Sequence, residues 1–144
     1  MVNSILVGVD GSPKSLEAAR YAMGLAEQTK AKITFLFVIE PAQIIPFGPM
    51  EGFVTAGPSK STEDVTRAEK IVEALAKERP ALNIATRVEL GDAADVIVES
   101  ATKLGVDLIV VGARGQNLAQ RVLLGSVSDR VVHHAPCAVT VVRR

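Results

Sequence analysis

Five short runs of apolar, largely β-branched residues alternate with segments of helical periodicity, and this alternation constrains the fold more than any other feature of the chain. The runs are Ser4–Val9, Lys32–Ile39, Ile84–Leu90, 108–111 and Ala138–Val142. Continuous apolar runs are typical of strands that are buried on both faces. Strands that alternate with helices form parallel sheets with right-handed crossovers. The sequence therefore predicts a doubly wound α/β fold, Rossmann-like, with helices on both faces of a five-stranded parallel sheet.

The segments between the runs carry helix start and stop signals. Ser12 followed by Pro13 is typical of an N-cap and a first helical turn, and we expect a helix over 13–30. Pro80 and Gly105 end two further helices, predicted over 61–78 and after Gly91-Asp92. The last helix, Ser126–His134, stops before Pro136.

The order of the strands places the candidate site. We expect the order 3-2-1-4-5, counted along the chain, so that the winding direction reverses between the first and fourth strands. Ligands of open α/β sheets bind at this point, outside the carboxyl ends of the strands. The residues to examine are therefore those that follow the first strand, Asp10 and Gly11, and those that follow the fourth strand, beginning at Gly112.

Length and composition exclude several classes of protein. The 144 residues suit a single domain over 1–144, and 16 basic residues balance 16 acidic ones, which argues against a nucleic-acid partner. The longest apolar run, 33–39, is far shorter than the ~20 residues of a membrane span. The single cysteine, Cys137, cannot form an internal disulfide. With no signal-peptide pattern at the start, we expect a cytoplasmic protein without a membrane partner.

One segment departs from the alternating pattern. Residues 40–60 contain four of the seven prolines, which excludes a helix or a central strand. We expect a long loop here, and long loops inside compact domains are usually functional or mobile. The segment contains no motif, so its role stays open.

The chain after the fourth strand has the spacing Gly112-x2-Gly115-x9-Gly125-Ser126. Glycines let the backbone approach a ligand closely, and a helix that opens at Gly125-Ser126 offers unpaired N–H groups to an anion. The hydroxyls of Ser126 and Ser128 would add donors for a phosphate. Ordinary loop glycines with Ser126 as a simple N-cap are the alternative interpretation of the same spacing.

This spacing, together with the sequences around it, resembles the ATP-binding branch of the universal stress protein family. The resemblance includes ILVGVDGS at the start, LIVVGARG before the spaced motif, GSVS within it and HAPCAVTVV at the end. It extends over the whole chain. It implies the same parallel α/β fold and a bound ATP.

The resemblance also implies roles for individual residues. Asp10 would accept hydrogen bonds from the ribose, next to Gly11, and the backbone of Val38 would read the adenine edge. Val111 would pack against the adenine, and Gly112 would lie against the ribose and the α-phosphate. The phosphates would be held by Gly115, Gly125, Ser126 and Val127. Arg114 and Arg121 are open to two interpretations, phosphate contacts or solvated loop residues.

Other reactive residues favour simpler interpretations. His133, His134 and Cys137 lack further ligands at the usual zinc spacing, so no metal site is predicted. Cys137 is expected to be a core thiol rather than a nucleophile. A receiver-type phosphoacceptor role for Asp10 would require another aspartate after the third strand and a lysine after the last, and these positions hold Leu90 and Val142.

The predicted function is a nucleotide-dependent regulatory or stress-response module that binds ATP, which we expect to arrive with Mg²⁺. The alternative is a very slow ATPase or an autophosphorylating enzyme. Weak hydrolysis is the most we expect, because the sequence contains no Walker A loop and places no evident base near a γ-phosphate. A third possibility, an interaction protein with a vestigial pocket, is disfavoured by the intact glycine motif. No feature identifies a protein partner.

We also expect a homodimer formed through the last strand. Ala138–Val142 would be an edge strand without proline or charge, and such an edge offers unpaired N–H and C=O groups, among them the N–H of Thr140. Members of the similar family commonly dimerise through this strand. A monomer whose edge is covered by the 40–60 loop is the alternative.

Overall fold

A computed structural model describes residues 1–41, 43–46, 53–56, 62–113 and 124–143, with the backbone alone described for 43–46 and 53–56. The strands are β1 Ser4–Val9, β2 Lys32–Ile39, β3 Gln43–Pro46, β4 Phe53–Ala56, β5 Ile84–Leu90, β6 Leu108–Gly112 and β7 Ala138–Val142. The helices are α1 Pro13–Thr29, α2 Thr62–Glu78, α3 Ala93–Leu104 and α4 Ser126–His134.

The main sheet has five parallel strands in the order β5-β2-β1-β6-β7. This is the predicted order 3-2-1-4-5, so the predicted fold class is confirmed. In the centre of the sheet, Val7 of β1 pairs with Phe35 of β2 on one side and with Val110 of β6 on the other. The carboxyl ends of β1 and β6 therefore lie side by side at one edge of the sheet, where the winding reverses.

Helices cover both faces of this sheet. On one face, α1 and α2 pack against a core that includes Phe35, Met23 and Val72. On the other face, α3 and α4 enclose Leu36 and Ile109 with their neighbours. Full burial of each such side chain stabilises the fold by about 1.5–3 kcal/mol. None of the helices in the described ranges is long and apolar enough to cross a bilayer.

The helix ends confirm the predicted signals. The hydroxyl oxygen of Ser12 accepts a hydrogen bond from the N–H of Ser15 at the start of α1, with Pro13 in the first turn. The carboxylate of Asp92 caps α3 in the same way. The N-termini of the four helices lie toward the carboxyl edge of the sheet, because each helix lies in the connection from the carboxyl end of one parallel strand to the amino end of the next.

The predicted 40–60 loop contains a structural element that the sequence analysis missed. Gln43–Pro46 and Phe53–Ala56 form a separate two-stranded antiparallel sheet. β-branched residues in both stretches favour strands, and the proline at the end of β3 lacks only one backbone N–H donor. The described strands of this segment lie outside the main sheet, as the prolines predicted, but the expectation of a loop alone was wrong for 43–46 and 53–56.

β7 is an edge strand of the described sheet, and its backbone orientation corrects one prediction. The carbonyl of Val142 accepts a 2.8 Å hydrogen bond from the N–H of Ala113, so Val142 points its backbone groups toward β6. Backbone groups of successive strand residues point to opposite sides, so Thr140 also faces β6. The outward N–H groups belong to Val139 and Val141. The N–H of Thr140 is not an edge donor.

Candidate functional site

A pocket of about 270 Å³ opens at the carboxyl ends of β1, β2 and β6. Four helices also contribute to its walls. The lining residues are Gly8, Val9, Asp10, Ser12, Lys14, Ser15, Phe37, Val38, Ile39, Glu40, Asp64, Arg67, Ala93, Ile97, Val111, Gly112, Val127 and Ser128. The pocket thus occupies the crevice at the switch point, where ligands bind in open α/β sheets.

The structure brings most of the predicted site residues together. The predicted residues that line the pocket are Asp10, Val38, Val111, Gly112, Val127 and Ser128. Gly11 and Ser126 are outside the lining but directly adjacent to it in the chain, and Gly125 is one residue further away. Arg114, Gly115 and Arg121 fall outside the described residues.

Asp10 is held at the tip of β1 by the start of α1. Its Oδ1 accepts a 2.8 Å hydrogen bond from the N–H of Ser12, and its own N–H donates to the hydroxyl of Ser15 at 3.2 Å. The tight turn is possible because Gly11 adopts a φ of +82°, which side chains with a Cβ rarely tolerate. The result is an oriented, partly buried carboxylate on the pocket wall.

The first turn of α4 supplies hydrogen-bond donors on the β6 side. Gly125 is the N-cap and has no side chain to satisfy the backbone. The N–H of Asp129 donates to the carbonyl of Gly125 at 2.9 Å and is the first to bond within the helix. The N–H groups of Ser126, Val127 and Ser128 therefore lack intrahelical acceptors. They lie at the positive end of the helix dipole, which favours an anion.

Gly112, at the end of β6, contacts both α1 and α4. A Cβ at this position would lie 2.7 Å from the carbonyl oxygen of Lys14 and 3.1 Å from the N of Ser15, so only glycine fits. The carbonyl of Gly112 accepts a 2.9 Å hydrogen bond from the hydroxyl of Ser128. The Ser128 hydroxyl thereby donates its only hydrogen within the protein. We therefore replace its predicted role as a phosphate donor with that of a positioning residue.

The two sides of the pocket differ in polarity. Val38, Ile97, Val111 and Val127 form an apolar wall that is continuous with the core between the sheet, α3 and α4. The charged lining residues come from α1, α2 and the ends of β1 and β2. These are Asp10, Lys14, Glu40, Asp64 and Arg67. The pocket therefore suits a ligand that is partly flat and apolar and partly polar.

Several of these lining residues were missed from the sequence. Asp64 and Arg67 lie on α2, which follows the motif-free 40–60 segment, and no local pattern connects them to Asp10. Lys14 had a usable signal, because it follows the Ser12-Pro13 helix start and therefore belongs to the first turn at the same end of the sheet.

A family model described as the universal stress protein family matches residues 1–143. The chain belongs to the universal stress protein family. A universal stress protein of Methanocaldococcus jannaschii is 35% identical over 144 residues, covering 100% of this chain and 84% of the relative. The solved structure of the universal stress protein UspA from Lactobacillus plantarum has a TM-score of 0.76 at 26% identity, covering 99% of this chain and 98% of that one.

Three other solved universal stress proteins with the same fold hold nucleotides. One is a complex with cAMP, with a TM-score of 0.73 at 24% identity and coverage of 99% and 97% of the two chains. An Arabidopsis thaliana protein has AMP bound, with a TM-score of 0.67 at 21% identity and coverage of 99% of this chain and 92% of that one. An Archaeoglobus fulgidus protein is a complex with dAMP, with a TM-score of 0.65 at 17% identity and coverage of 99% of this chain and 98% of that one. At these identities, the similarity to this chain establishes the fold.

An ion-pair network beside the pocket of this universal stress protein joins α4 to α3. The guanidinium of Arg130 donates to Asp92 at 3.1 Å and to Asp95 at 2.8 Å. The hydrogen bond from Arg130, together with the N–H of Asp95, lowers the pKa of the Asp92 carboxyl below its ordinary value. The network fixes the N-terminal half of α4 relative to Ala93, which lines the pocket.

The residues considered for a metal site have other surroundings. Cys137 is partly buried against the core beneath α3 and α4, and this burial raises the pKa of its thiol, as expected for a core cysteine. The Nδ1 of His133 lies 2.7 Å from the carbonyl oxygen of Asp129. Among the described residues, no group of three or more His, Cys, Asp or Glu could hold a metal ion.

Proposed function

We propose that this universal stress protein binds ATP in the switch-point pocket and acts as a nucleotide-dependent regulatory module in a stress response. One observation carries the proposal. One pocket is lined by an oriented carboxylate, Asp10, by an apolar wall, and by Val127 and Ser128 of α4, whose N–H groups lack intrahelical acceptors. A nucleotide needs an acceptor for its ribose hydroxyls, donors for its phosphates and an apolar surface for its base.

The geometry supports one orientation of the ligand. The adenine packs against Val38, Val111 and Val127, because this wall is apolar. The ribose hydroxyls donate to Asp10 at the tip of β1. The phosphates lie beyond Gly112 at the N-terminus of α4, where the helix dipole and the N–H groups without intrahelical acceptors stabilise negative charge.

Two further findings favour an adenine nucleotide with a phosphate chain. The three related complexes contain cAMP, AMP and dAMP, which share the adenine base. The spacing from Gly112 to Ser126 resembles the motif of the family's ATP-binding branch, which supports the proposal. ATP would bring Mg²⁺ with it, coordinated by the phosphates and water.

We propose that binding, rather than turnover, is the main activity. The α4 donors stabilise the bound phosphates, but they provide no base to activate a water molecule. Asp10 is a carboxylate, but the N–H of Ser12 orients it at the ribose position. Hydrolysis is expected to be far slower than the ~1–100 s⁻¹ of typical phosphoryl-transfer enzymes.

Acid extraction of the purified protein, followed by chromatography, tests this proposal. We expect ATP to be released from the wild type after incubation with Mg-ATP and desalting. Asp10→Ala should retain several-fold less, because the ribose hydroxyls lose their acceptor. Glu17→Ala removes an exposed carboxylate from the same helix region without touching the pocket, and it should match the wild type. Wild type that retains no nucleotide, or an Asp10→Ala variant that retains as much as Glu17→Ala, would contradict the proposal.

A further inference from the structure

Lys14 occupies a distinctive place beside the pocket. It lines the pocket from the first turn of α1, and its ammonium group donates a 2.9 Å hydrogen bond to the carbonyl oxygen of Arg143. Arg143 directly follows β7, whose last residue, Val142, is in register with Gly112. Adjacent strands lie about 4.8 Å apart. The ammonium group therefore lies at the carboxyl edge of the sheet, close to the end of β6.

The backbone of Lys14 lies equally close to the β6 end. Its carbonyl oxygen would be 2.7 Å from a Cβ at Gly112, so the two backbones are in direct contact. From the opposite face of the sheet, α4 contacts Gly112 through the hydroxyl of Ser128. Lys14 and the first turn of α4 thus flank the same residue, on the side of the pocket where the phosphates are proposed to lie.

The described acceptor of the Lys14 ammonium group is a neutral carbonyl. No salt bridge between described residues includes Lys14. The pocket walls also carry the carboxylates Asp10, Glu40 and Asp64, which repel a phosphate chain. The other described cation of the wall, Arg67, lies on α2, which packs against β2 and β5 rather than β6.

We propose that Lys14 is the residue by which this site selects phosphorylated ligands over unphosphorylated nucleosides. When a phosphate chain binds, the ammonium group of Lys14 donates to it in place of, or together with, the carbonyl of Arg143. A hydrogen bond between two charged groups is stronger than one to a neutral carbonyl, so the exchange is favourable. This inference rests on the proposed nucleotide function and adds a specificity residue to it.

Calorimetric titration of the full chain with adenosine, AMP and ATP at fixed low salt tests the inference. Lys14→Met keeps most of the aliphatic stem and removes the charge. We expect it to lower ATP affinity by about ten-fold, while adenosine affinity stays within about two-fold of wild type. Lys14→Arg keeps the charge and should retain most of the ATP affinity. Lys70→Met is the control for a general loss of positive charge, because Lys70 is exposed on α2 outside this pocket. This variant should not change the ratio of ATP affinity to adenosine affinity.

The outcomes separate this inference from the proposed function. If wild type binds ATP and Lys14→Met binds it equally well, or loses adenosine and ATP affinity alike, the Lys14 inference is wrong and the nucleotide site stands. If wild type binds none of the three ligands, both are wrong. Thermal unfolding of each variant checks its folding, and Lys14→Gln replaces Lys14→Met in the same titration if the methionine variant is unstable.

Discussion

The hydroxyl of Ser128 donates a 2.9 Å hydrogen bond to the carbonyl oxygen of Gly112 and so ties the first turn of α4 to the end of β6. Ser128 is almost completely buried, with 1% of its surface exposed. The two residues flank the glycine-spaced segment, which begins at Gly112 and ends at Ser126. Their contact therefore sets where the first N–H groups of α4 lie relative to the sheet, and with them the proposed phosphate position.

Replacing Ser128 by alanine should weaken both the fold and the site. The loss of this buried hydrogen bond is expected to lower the free energy of unfolding by about 1–2 kcal/mol, as measured by urea denaturation. ATP affinity should fall as well, because the start of α4 is less firmly positioned. Ser126→Ala is the matched control for stability, since its side chain is exposed, and it should lie within about 0.5 kcal/mol of wild type. Equal stability of the two variants would contradict the positioning role.

Alanine substitutions at Gly112 and Gly24 form a second matched pair of variants. Gly112→Ala places a Cβ against the backbone oxygen of Lys14, and rigid backbone cannot move aside cheaply, so we expect a destabilisation of about 1–3 kcal/mol. At Gly24, inside α1, a Cβ meets nothing within 4 Å, and alanine should stabilise the helix by about 0.5–1 kcal/mol. Denaturant midpoints measure both effects. A Gly112→Ala protein as stable as wild type would show that the close approach is not a constraint.

The elements that could be predicted from the sequence are those specified by local signals. β1 and β2 are continuous apolar runs, and the caps Ser12 and Asp92 each accept a hydrogen bond from the backbone N–H three residues further along. Asp10 and Gly112 were predictable as candidate site residues because parallel strands end at one edge of the sheet, whereas Val38 and Val111 were implied by the resemblance to the family. The fold then brings those ends together.

The features that the sequence did not reveal depend on contacts between distant segments. The donation from Ser128 to Gly112 spans 16 residues, and the bond from Lys14 to Arg143 spans 129. Neither pair has a spacing that local periodicity could detect. The orientation of the Thr140 backbone was equally inaccessible, because it depends on the register between β6 and β7 and not on the composition of the strand.

Because of the ion pair between Asp92 and Arg130, we expect the free energy of unfolding to depend on pH in the acid range. Since the pKa of Asp92 is lower in the folded protein than its unfolded value of about 3.9, the stabilisation is complete above that value and is lost as the pH falls through the folded pKa. Between pH 5 and strongly acidic pH, the free energy of unfolding should therefore fall less in Arg130→Met than in the wild type. Both side chains are nearly half exposed, so the difference should be modest and should shrink at high salt. Identical pH profiles for the two proteins would contradict the assignment.

β7 is an edge strand of the described sheet, and we propose a homodimer in which two such strands pair antiparallel about a two-fold axis. Val141→Pro removes an outward N–H while leaving the bonds of Thr140 and Val142 to β6 in place, so it should shift the protein toward monomer in sedimentation experiments. A wild-type protein that sediments at its chain mass of 15.2 kDa at tens of micromolar would exclude this dimer.

The central claim is that the start of α4 binds the phosphates of ATP, and the amide resonances of Ser126, Val127 and Ser128 test it most directly. In a ¹H–¹⁵N spectrum recorded during titration with Mg-ATP, these three signals should show the largest changes, because their N–H groups gain a charged acceptor. Amides at the opposite edge of the sheet, such as those of Lys30 and Ala31, should stay unchanged. Saturating Mg-ATP that leaves the three α4 amides unshifted would contradict the account.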